Sequence, residues 1–229
     1  MRHARFRDPA GAVRTGTYHG ETVAAAGREY DLADPDVTLL PPCQPEKIVC
    51  VGRNYAAHAA ERDADVPDRP LLFLKPPNAV AAPNATTPLP AGKTVEHEAE
   101  LAVVIGEQAR NVAPTDATDH VAGFTCLNDV SNRDDQDREQ NWVRGKAFDG
   151  AAPLGPCVAA PEHVPADASV ELQLNGERIQ SGSRDQFVFD VPELISEVTS
   201  YLTLDPGDVI ATGTPAGVGP LSDGDHVAV

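Results

Sequence analysis

The chain has 229 residues, enough for one substantial core with a small appendage, and its 41% apolar content holds no run near a membrane span of ~20 residues. Thirty-five Asp and Glu against 18 Lys and Arg leave a net charge of −17, which excludes a general role on nucleic acid or anionic membranes. Only four basic residues are lysine (Lys47, Lys75, Lys93 and Lys146), so each is expected to have a specific task. A Lys-poor, Asp-rich surface fits the cytoplasm of a high-salt organism, where self-repulsion is screened. The thermal midpoint in scanning calorimetry should therefore rise as KCl is brought to molar levels, and a flat or falling curve would remove the halophilic reading.

The N-terminal MRHARFRDPAGAV is basic but lacks the apolar stretch of a signal peptide, so a cytoplasmic protein is expected. Residues 1–45 read as a small, separate β-rich unit: VRTGTYHGETVAAAGREYDL alternates short β-like runs with Gly turns, and TLLPPCQPEK is a Pro-rich linker. KIVCVGRNY predicts a strand entering a Gly turn, and NYAAHAAERDA a short helix with His58 and Glu61 on one face. Proline makes PDRPLLFLKPPNAVAAPNATTPLPAGK mostly extended around LLFL. AELAVVIG and HVAGFTCLNDV are strand-like, and SNRDDQDREQNWV carries the most helical pattern. SVELQLNGERIQSG predicts a hairpin at Asn175-Gly176. DVPELISEVTSYLTL predicts an amphipathic helix with Pro192 near its first turn. PGDVIATGTPAGVG is a strand entering a Gly-rich loop, and GDHVAV ends on strand-like residues. Cys43, Cys50, Cys126 and Cys157 show no C-x-x-C or zinc-like spacing and are expected to be reduced and mostly buried. Strands dominate, which favours a mixed, β-rich fold over a doubly wound one.

The run HEAELAVVIG opens a buried-looking strand with two acids. Residues two apart in a strand share a face, so Glu98 and Glu100 look the same way as Ala102 and Val104, while His97 turns to the other face. Burying such carboxylates costs several kcal/mol unless positive charge opposes them. Either the strand lies at an edge with both acids in water, or a divalent cation joins them; hard carboxylate oxygens suit Mg²⁺, Mn²⁺ or Ca²⁺. Asp129, at the end of GFTCLND, is a helix N-terminal acid or a third ligand. Arg133 and Gln136 follow on one side of the helix expected there, and Asp134, Asp135, Asp137 and Glu139 read as its solvated face. Lys146, among small residues in VRGKAFDGAAPLGP, is a surface lysine or a cation facing an anionic substrate. ATGTPAGVG, with Thr212 and Thr214, is neither a P-loop nor a Rossmann turn. It is a structural turn, or a loop whose backbone and Thr hydroxyl approach a small ligand. His58 and Glu61 are a surface pair, or a carboxylate-oriented base that activates water. No G-x-S-x-G elbow is present.

Taken in order, VGRNYAAHAAE, PLLFLKPPNAV, HEAELAVVIG, GFTCLNDVSNRDDQ, GKAFDGAAPLGP, NGERIQSG and GDVIATGTPAGVG resemble the fumarylacetoacetate hydrolase family. The likeness is above all to its short-chain branch of acylpyruvate hydrolases, oxaloacetate-processing enzymes and homoprotocatechuate-pathway isomerase/decarboxylases. It implies a mixed α/β, β-rich fold of the mixed β-sandwich roll type, with a catalytic domain over residues 46–229, usually a homodimer. It also implies Mg²⁺ or Mn²⁺, with Ca²⁺ as a substitute, held by Glu98, Glu100 and Asp129. Arg133 and Lys146 would anchor substrate, Gln136 and Thr214 would add polar contacts, and His58 with Glu61 would be the dyad of a mobile lid. The implied partner is a small 2-oxo acid, and the implied reaction is C–C hydrolysis of an acylpyruvate through a pyruvate enolate, as in aromatic catabolism. Lys146 would share in stabilising that enolate. Oxaloacetate decarboxylation or tautomerisation, 2-hydroxyhepta-2,4-diene-1,7-dioate isomerisation and 2-oxo-acid hydration use the same enolate chemistry and stay open. So does a catalytically silent relative that binds a metal–carboxylate ligand. Family members usually continue past the strand equivalent to DGDHVAV into a partner strand, which leaves the pairing of this chain's last strand open.

Overall fold

Short alternating runs punctuated by Gly and Pro give strands in preference to helices, and the computed structural model, which describes residues 1–229, follows that pattern. The first part supplies β1 (Arg2–Arg7), β2 (Val13–Tyr18), β3 (Thr22–Ala25), β4 (Arg28–Asp31) and β5 (Thr38–Leu40). Next come β6 (Ile48–Gly52), α1 (Ala56–Glu61), β7 (Leu71–Lys75), β8 (Val80–Ala81), β9 (Val95–His97), β10 (Ala99–Ile105) and β11 (Val121–Asn128). A connecting segment holds β12 (Ser131–Asn132), α2 (Arg133–Gln136) and α3 (Val143–Lys146). The remainder is β13 (Ala152–Ala159), β14 (Ser169–Leu174), β15 (Glu177–Ser183), α4 (Val191–Tyr201), β16 (Val209–Ala211), β17 (Gly219–Pro220) and β18 (Val227–Ala228).

Twelve strands form one sheet whose main path is β4-β3-β2-β1-β13-β11-β10-β16-β6-β7, with β5 on β1 and β8 on β13. Two three-stranded sheets, β12-β9-β17 and β15-β14-β18, flank it. The fold is mixed α/β and sheet-dominated, as the sequence pattern predicts. β10 is central, antiparallel to both β11 and β16, so its acids do not lie along an open edge. Its alternation divides the core in two. Ala102 and Val104 pack with Ile48, Cys50, Val209 and Ala211 on one face. Val103 and Ile105 pack with Val49, Val51, Ile210 and the buried stripe of α4 on the other. Each such aliphatic side chain contributes roughly 1.5–3 kcal/mol when fully buried, so the strand that carries Glu100 is a rigid support.

Local signals explain several boundaries. The α4 start is a capping box: Asp190 accepts from the Glu193 amide at 2.9 Å, and the Glu193 carboxylate accepts from the Asp190 amide at 2.8 Å. At the hairpin, Asn175 (φ 53°) and Gly176 (φ 86°) take the two left-handed positions of a tight primed turn. The last strand pairs with β14, Ala228 opposite Gln173. Residues 1–45 carry their own small cluster around Phe6, Val23, Tyr30 and Val37, and β1 hydrogen-bonds to β13 as part of the main sheet.

One expected element is different. The segment 131–143 is not one helix: it holds the single turn α2, Trp142 is left-handed at φ 57°, and α3 begins only at Val143. Its acids are not a solvated face either. Asp134 accepts from the Thr94 amide at 2.6 Å, Asp135 pairs with Lys93 at 2.9 Å, and Glu139 accepts from the Arg144 amide at 3.0 Å; only Asp137 stays exposed and unpaired. Side-chain bonds of this kind offer the backbone an alternative to the helical ladder. The four cysteines are free; burial pushes the Cys43 thiol up to about 12 and Cys126 to about 11, which removes both as thiolate nucleophiles. No helix is long and apolar enough to cross a membrane.

Candidate active site

Glu98 sits in the break between β9 and β10, Glu100 one step into β10, and Asp129 just past β11, its amide bonded to the Glu98 carbonyl at 2.8 Å. Because β10 and β11 pair in register, the three carboxylates converge: all are buried, and one oxygen from each lies within 4.8 Å of the others. Asp129 is not a helix cap; that role falls to Asn132, whose side chain accepts from the Asp135 amide.

Basic side chains close around them. Lys146 Nζ, on α3, donates to Glu98 at 2.9 Å, Asp129 at 2.6 Å and Ser131 Oγ at 2.5 Å. Arg133 takes the other Glu98 oxygen, reaches Glu96 through Nε at 2.5 Å and donates to Gln136 Oε1 at 2.6 Å. Burial alone would raise the Glu98 carboxyl, but the Lys146 and Arg133 charges outweigh it and hold Glu98 well below the usual carboxylate range. Glu100 has no such neighbour. Burial, then the charges of Asp129 and Glu98, push its carboxyl well above the usual range, offset in part by a 2.8 Å bond from the Gly213 amide.

The donor set fits a hard divalent cation. Glu100 has a carboxylate without a cation, and Asp129 Oδ1 is buried with no hydrogen bond, although Lys75 Nζ lies 2.7 Å away. The three protons of that ammonium are directed instead to the carbonyls of Val130, Lys146 and Ala151, at 3.2, 2.6 and 2.8 Å. Three buried carboxylates, two of which keep an oxygen with no hydrogen bond, are what Mg²⁺, Mn²⁺ or Ca²⁺ would satisfy.

The Gly-rich loop after β16 forms another wall. Gly213 is left-handed (φ 98°), and a Cβ there would meet Asn54 Cβ at 2.8 Å, so only glycine brings this amide to Glu100. Thr214 Oγ1 accepts from Gln180 at 2.9 Å, which leaves the hydroxyl proton free to donate. On α1, His58 Nδ1 lies 3.1 Å from Glu61 Oε2, and the other Glu61 oxygen accepts from the Gly217 amide at 2.9 Å. Gly217 (φ 99°) is also obligatory, since a Cβ would sit 2.2 Å from the Ile179 carbonyl.

His58, Glu98, Glu100, Asp129, Arg133, Gln136, Lys146 and Thr214 all line one pocket of about 220 Å³, with Glu61 behind His58. A larger cavity of about 730 Å³, bounded by residues 82–89, 153–156 and 221–229, contains none of them. His97 points away to Gln180, at 3.0 Å, as expected. Sequence reasoning did not single out Lys75, Glu96 or Gln180. Lysine scarcity was a usable signal for Lys75; nothing local marked the other two. Gln180 accepts from the Ala99 amide at 3.0 Å and donates to Thr214 and the Pro215 carbonyl, which fixes the Gly-rich loop against β10.

The pattern of the fumarylacetoacetate (FAA) hydrolase C-terminal region matches residues 47–229. A human mitochondrial protein named oxaloacetate tautomerase is 44% identical over 190 residues, covering 80% of this chain and 60% of that protein. The crystal structure of a 5-carboxymethyl-2-hydroxymuconate delta-isomerase from Mycobacterium smegmatis superposes with a TM-score of 0.87 at 39% identity, over 99% of this chain and 92% of that one. A fumarylpyruvate hydrolase from Pseudomonas aeruginosa, in complex with Mn²⁺ and pyruvate, superposes with a TM-score of 0.74 at 36% identity, over 82% and 84%.

Proposed function

The chain belongs to the fumarylacetoacetate hydrolase family, and from that premise we propose that it hydrolyses a C–C bond in a small acylpyruvate-type 2-oxo acid, with a divalent cation at the carboxylate triad. The observation that carries the proposal is the His58–Glu61 pair at the pocket, 3.1 Å apart. With Nδ1–H donating to the carboxylate, Nε2 is left as an acceptor that can take a proton from water. Glu98, Glu100 and Asp129 would hold the cation, which when bound supplies Lewis acidity toward a 2-oxo carboxylate. A divalent cation at the triad is further supported by the Mn²⁺ in the Pseudomonas relative.

The remaining steps belong to this chain's own side chains. His58 takes one water proton, and the hydroxide adds to the distal carbonyl carbon. The C–C bond then breaks with its electron pair passing to the pyruvate fragment as an enolate, which a proton converts to pyruvate, and the other product is a free acid. Lys146 would stabilise the enolate charge, and Arg133, Gln136 and the Thr214 hydroxyl would orient the substrate oxygens.

Keto–enol tautomerisation of the same class of acid is the second reading, supported by the human relative's name. It uses the enolate-stabilising side of the pocket and does not need an activated water. Acetylpyruvate and oxaloacetate assayed with Mn²⁺ separate the two. His58→Ala should lower pyruvate release from acetylpyruvate by about 10²–10⁴-fold, the usual contribution of a general base, and spare oxaloacetate tautomerisation. A wild-type protein that tautomerises oxaloacetate but releases no pyruvate from any acylpyruvate would replace the first reading with the second.

A further inference from the structure

The hairpin at Asn175-Gly176 sets the two sides of β15: Gln180 and Gly182 fall on its buried face and Ser181 on the exposed one. A polar side chain on a buried face is costly unless its hydrogen bonds are met. Those of Gln180, which is 1% exposed, are met in full. Strand β16 pairs with β10 only over Ala102–Val104, which leaves the Ala99 amide without a strand partner on that side. Gln180 Oε1 accepts from this amide at 3.0 Å and lies 3.0 Å from His97 Nδ1. Gln180 Nε2 donates to Thr214 Oγ1 at 2.9 Å and to the Pro215 carbonyl at 2.8 Å. A primary amide offers two lone pairs and two N–H bonds, so nothing is spare.

That saturation fixes which way the amide faces. Turned over, its N–H groups would meet the Ala99 N–H and its oxygen would meet the Pro215 carbonyl, two repulsive contacts. The imidazole follows. An acceptor oxygen beside Nδ1 requires the His97 proton on Nδ1, and Nε2, buried with no hydrogen bond, carries the lone pair. The hydroxyl follows as well. Thr214 Oγ1 accepts from Gln180 and donates to no protein acceptor, so its one proton is available to the pocket that Thr214 lines. The loop is also held by bonds that do not involve Gln180. The Thr212 hydroxyl donates to the Leu101 carbonyl at 2.7 Å, Asn54 to the Thr212 carbonyl at 2.8 Å, and the Gly213 amide to Glu100 at 2.8 Å. What Gln180 adds at Thr214 is the direction of the hydroxyl.

We propose that Gln180 is a positioning residue that fixes the Thr214 hydroxyl as a hydrogen-bond donor to an acceptor oxygen of the bound 2-oxo acid, with His97 locking the orientation of the Gln180 amide. This rests on Thr214 being a substrate contact, as in the reading above. A hydroxyl already set as a donor does not have to turn when substrate arrives, and a preset donor strengthens toward an oxygen that gains negative charge.

Two measurements test it. The first needs only the wild-type protein in EDTA: ¹⁵N NMR of its histidines should show neutral His97 protonated on Nδ1. The second is calorimetric binding of pyruvate to the Mn²⁺-loaded protein. Gln180→Met, close in volume but without hydrogen bonds, should weaken pyruvate by about tenfold. The same substitution made in Thr214→Val, which has no hydroxyl to direct, should change the affinity by less than about twofold. Made in Thr214→Ser, which keeps the hydroxyl, it should again cost about tenfold. The His97 proton on Nε2, or an equal loss of affinity in the Thr214 and Val backgrounds, would overturn the positioning role and leave the active-site reading intact. The NMR result decides even if Gln180→Met does not fold. A wild-type protein that binds Mn²⁺ but not pyruvate would overturn the active-site reading and this inference with it.

Discussion

Glu100→Gln is expected to abolish cation-dependent stabilisation and to lower turnover by more than about a hundredfold, beyond the 10–100-fold cost of groups that merely orient ligands. Without a cation, the same variant should be as stable as wild type or more so. The reason is the charge distribution. Glu98 is held ionised by Lys146 and Arg133, whereas Glu100 is buried beside two like charges, opposed only by one amide and the Lys146 charge, which is not in contact with it. Amide replacement at Glu100 therefore removes a repulsion in the cation-free protein. At Glu98 it strips a partner from two buried cations, so Glu98→Gln should cost about 3–5 kcal/mol.

Thermal melts with EDTA and with Mn²⁺ check this. Wild type should gain about 2.7 kcal/mol at a hundredfold excess over Kd, and Glu100→Gln close to nothing. In EDTA there is also a pH signature. The folded Glu100 carboxyl keeps a proton that the unfolded chain releases above about 4.3, so wild-type stability should fall as pH rises above that value, by up to about 1.4 kcal/mol per unit. Glu100→Gln removes that slope. Glu98 acts in the opposite direction and only in acid: its folded carboxyl is held down, so its contribution is lost as pH falls below the unfolded value. An Mn²⁺ shift in Glu100→Gln equal to that of wild type would refute the triad as the cation site.

Lys75→Met is expected to destabilise the protein by about 3–5 kcal/mol in urea titration, the cost of removing one member of a buried ion pair. Lys75 is fully buried, its ammonium bonded to the carbonyls of Val130, Lys146 and Ala151 and 2.7 Å from Asp129 Oδ1. It ties the end of α3, which carries Lys146, to the segments on either side of the connecting region. Methionine fills similar volume but leaves three carbonyls without a donor and one carboxylate oxygen without its opposing charge. Saturating Mn²⁺ should recover part of the loss, because a cation at the triad would again oppose the Asp129 charge. A destabilisation below about 1 kcal/mol would mean that water replaces the ammonium and that the site does not depend on it.

Scarcity of lysine proved a sound guide, since all four lysines are ion-paired: Lys47 with Asp208, Lys75 with Asp129, Lys93 with Asp135, and Lys146 with Glu98 and Asp129. It pointed to Lys75 as much as to Lys146, but a lysine between LLFL and two prolines named no partner. The segment 131–143 failed as a single helix for a related reason. Its periodicity was helical, yet Thr94 and Lys93, some forty residues earlier in the chain, claimed its acids.

Period-two alternation, the Asn175-Gly176 turn, the Asp190 cap and the side of β10 on which Glu100 falls follow from steric and hydrogen-bonding rules acting over a few residues. Local sequence is enough to set those features. Whether Glu98, Glu100 and Asp129 meet, and which of them has a cation beside it, depends on how distant segments pack together. Charges balance with whatever lies within a few ångströms. Here those neighbours are Lys75, Arg133, Lys146 and the loop at Gly213, which lie up to 113 residues along the chain from the carboxylates they meet.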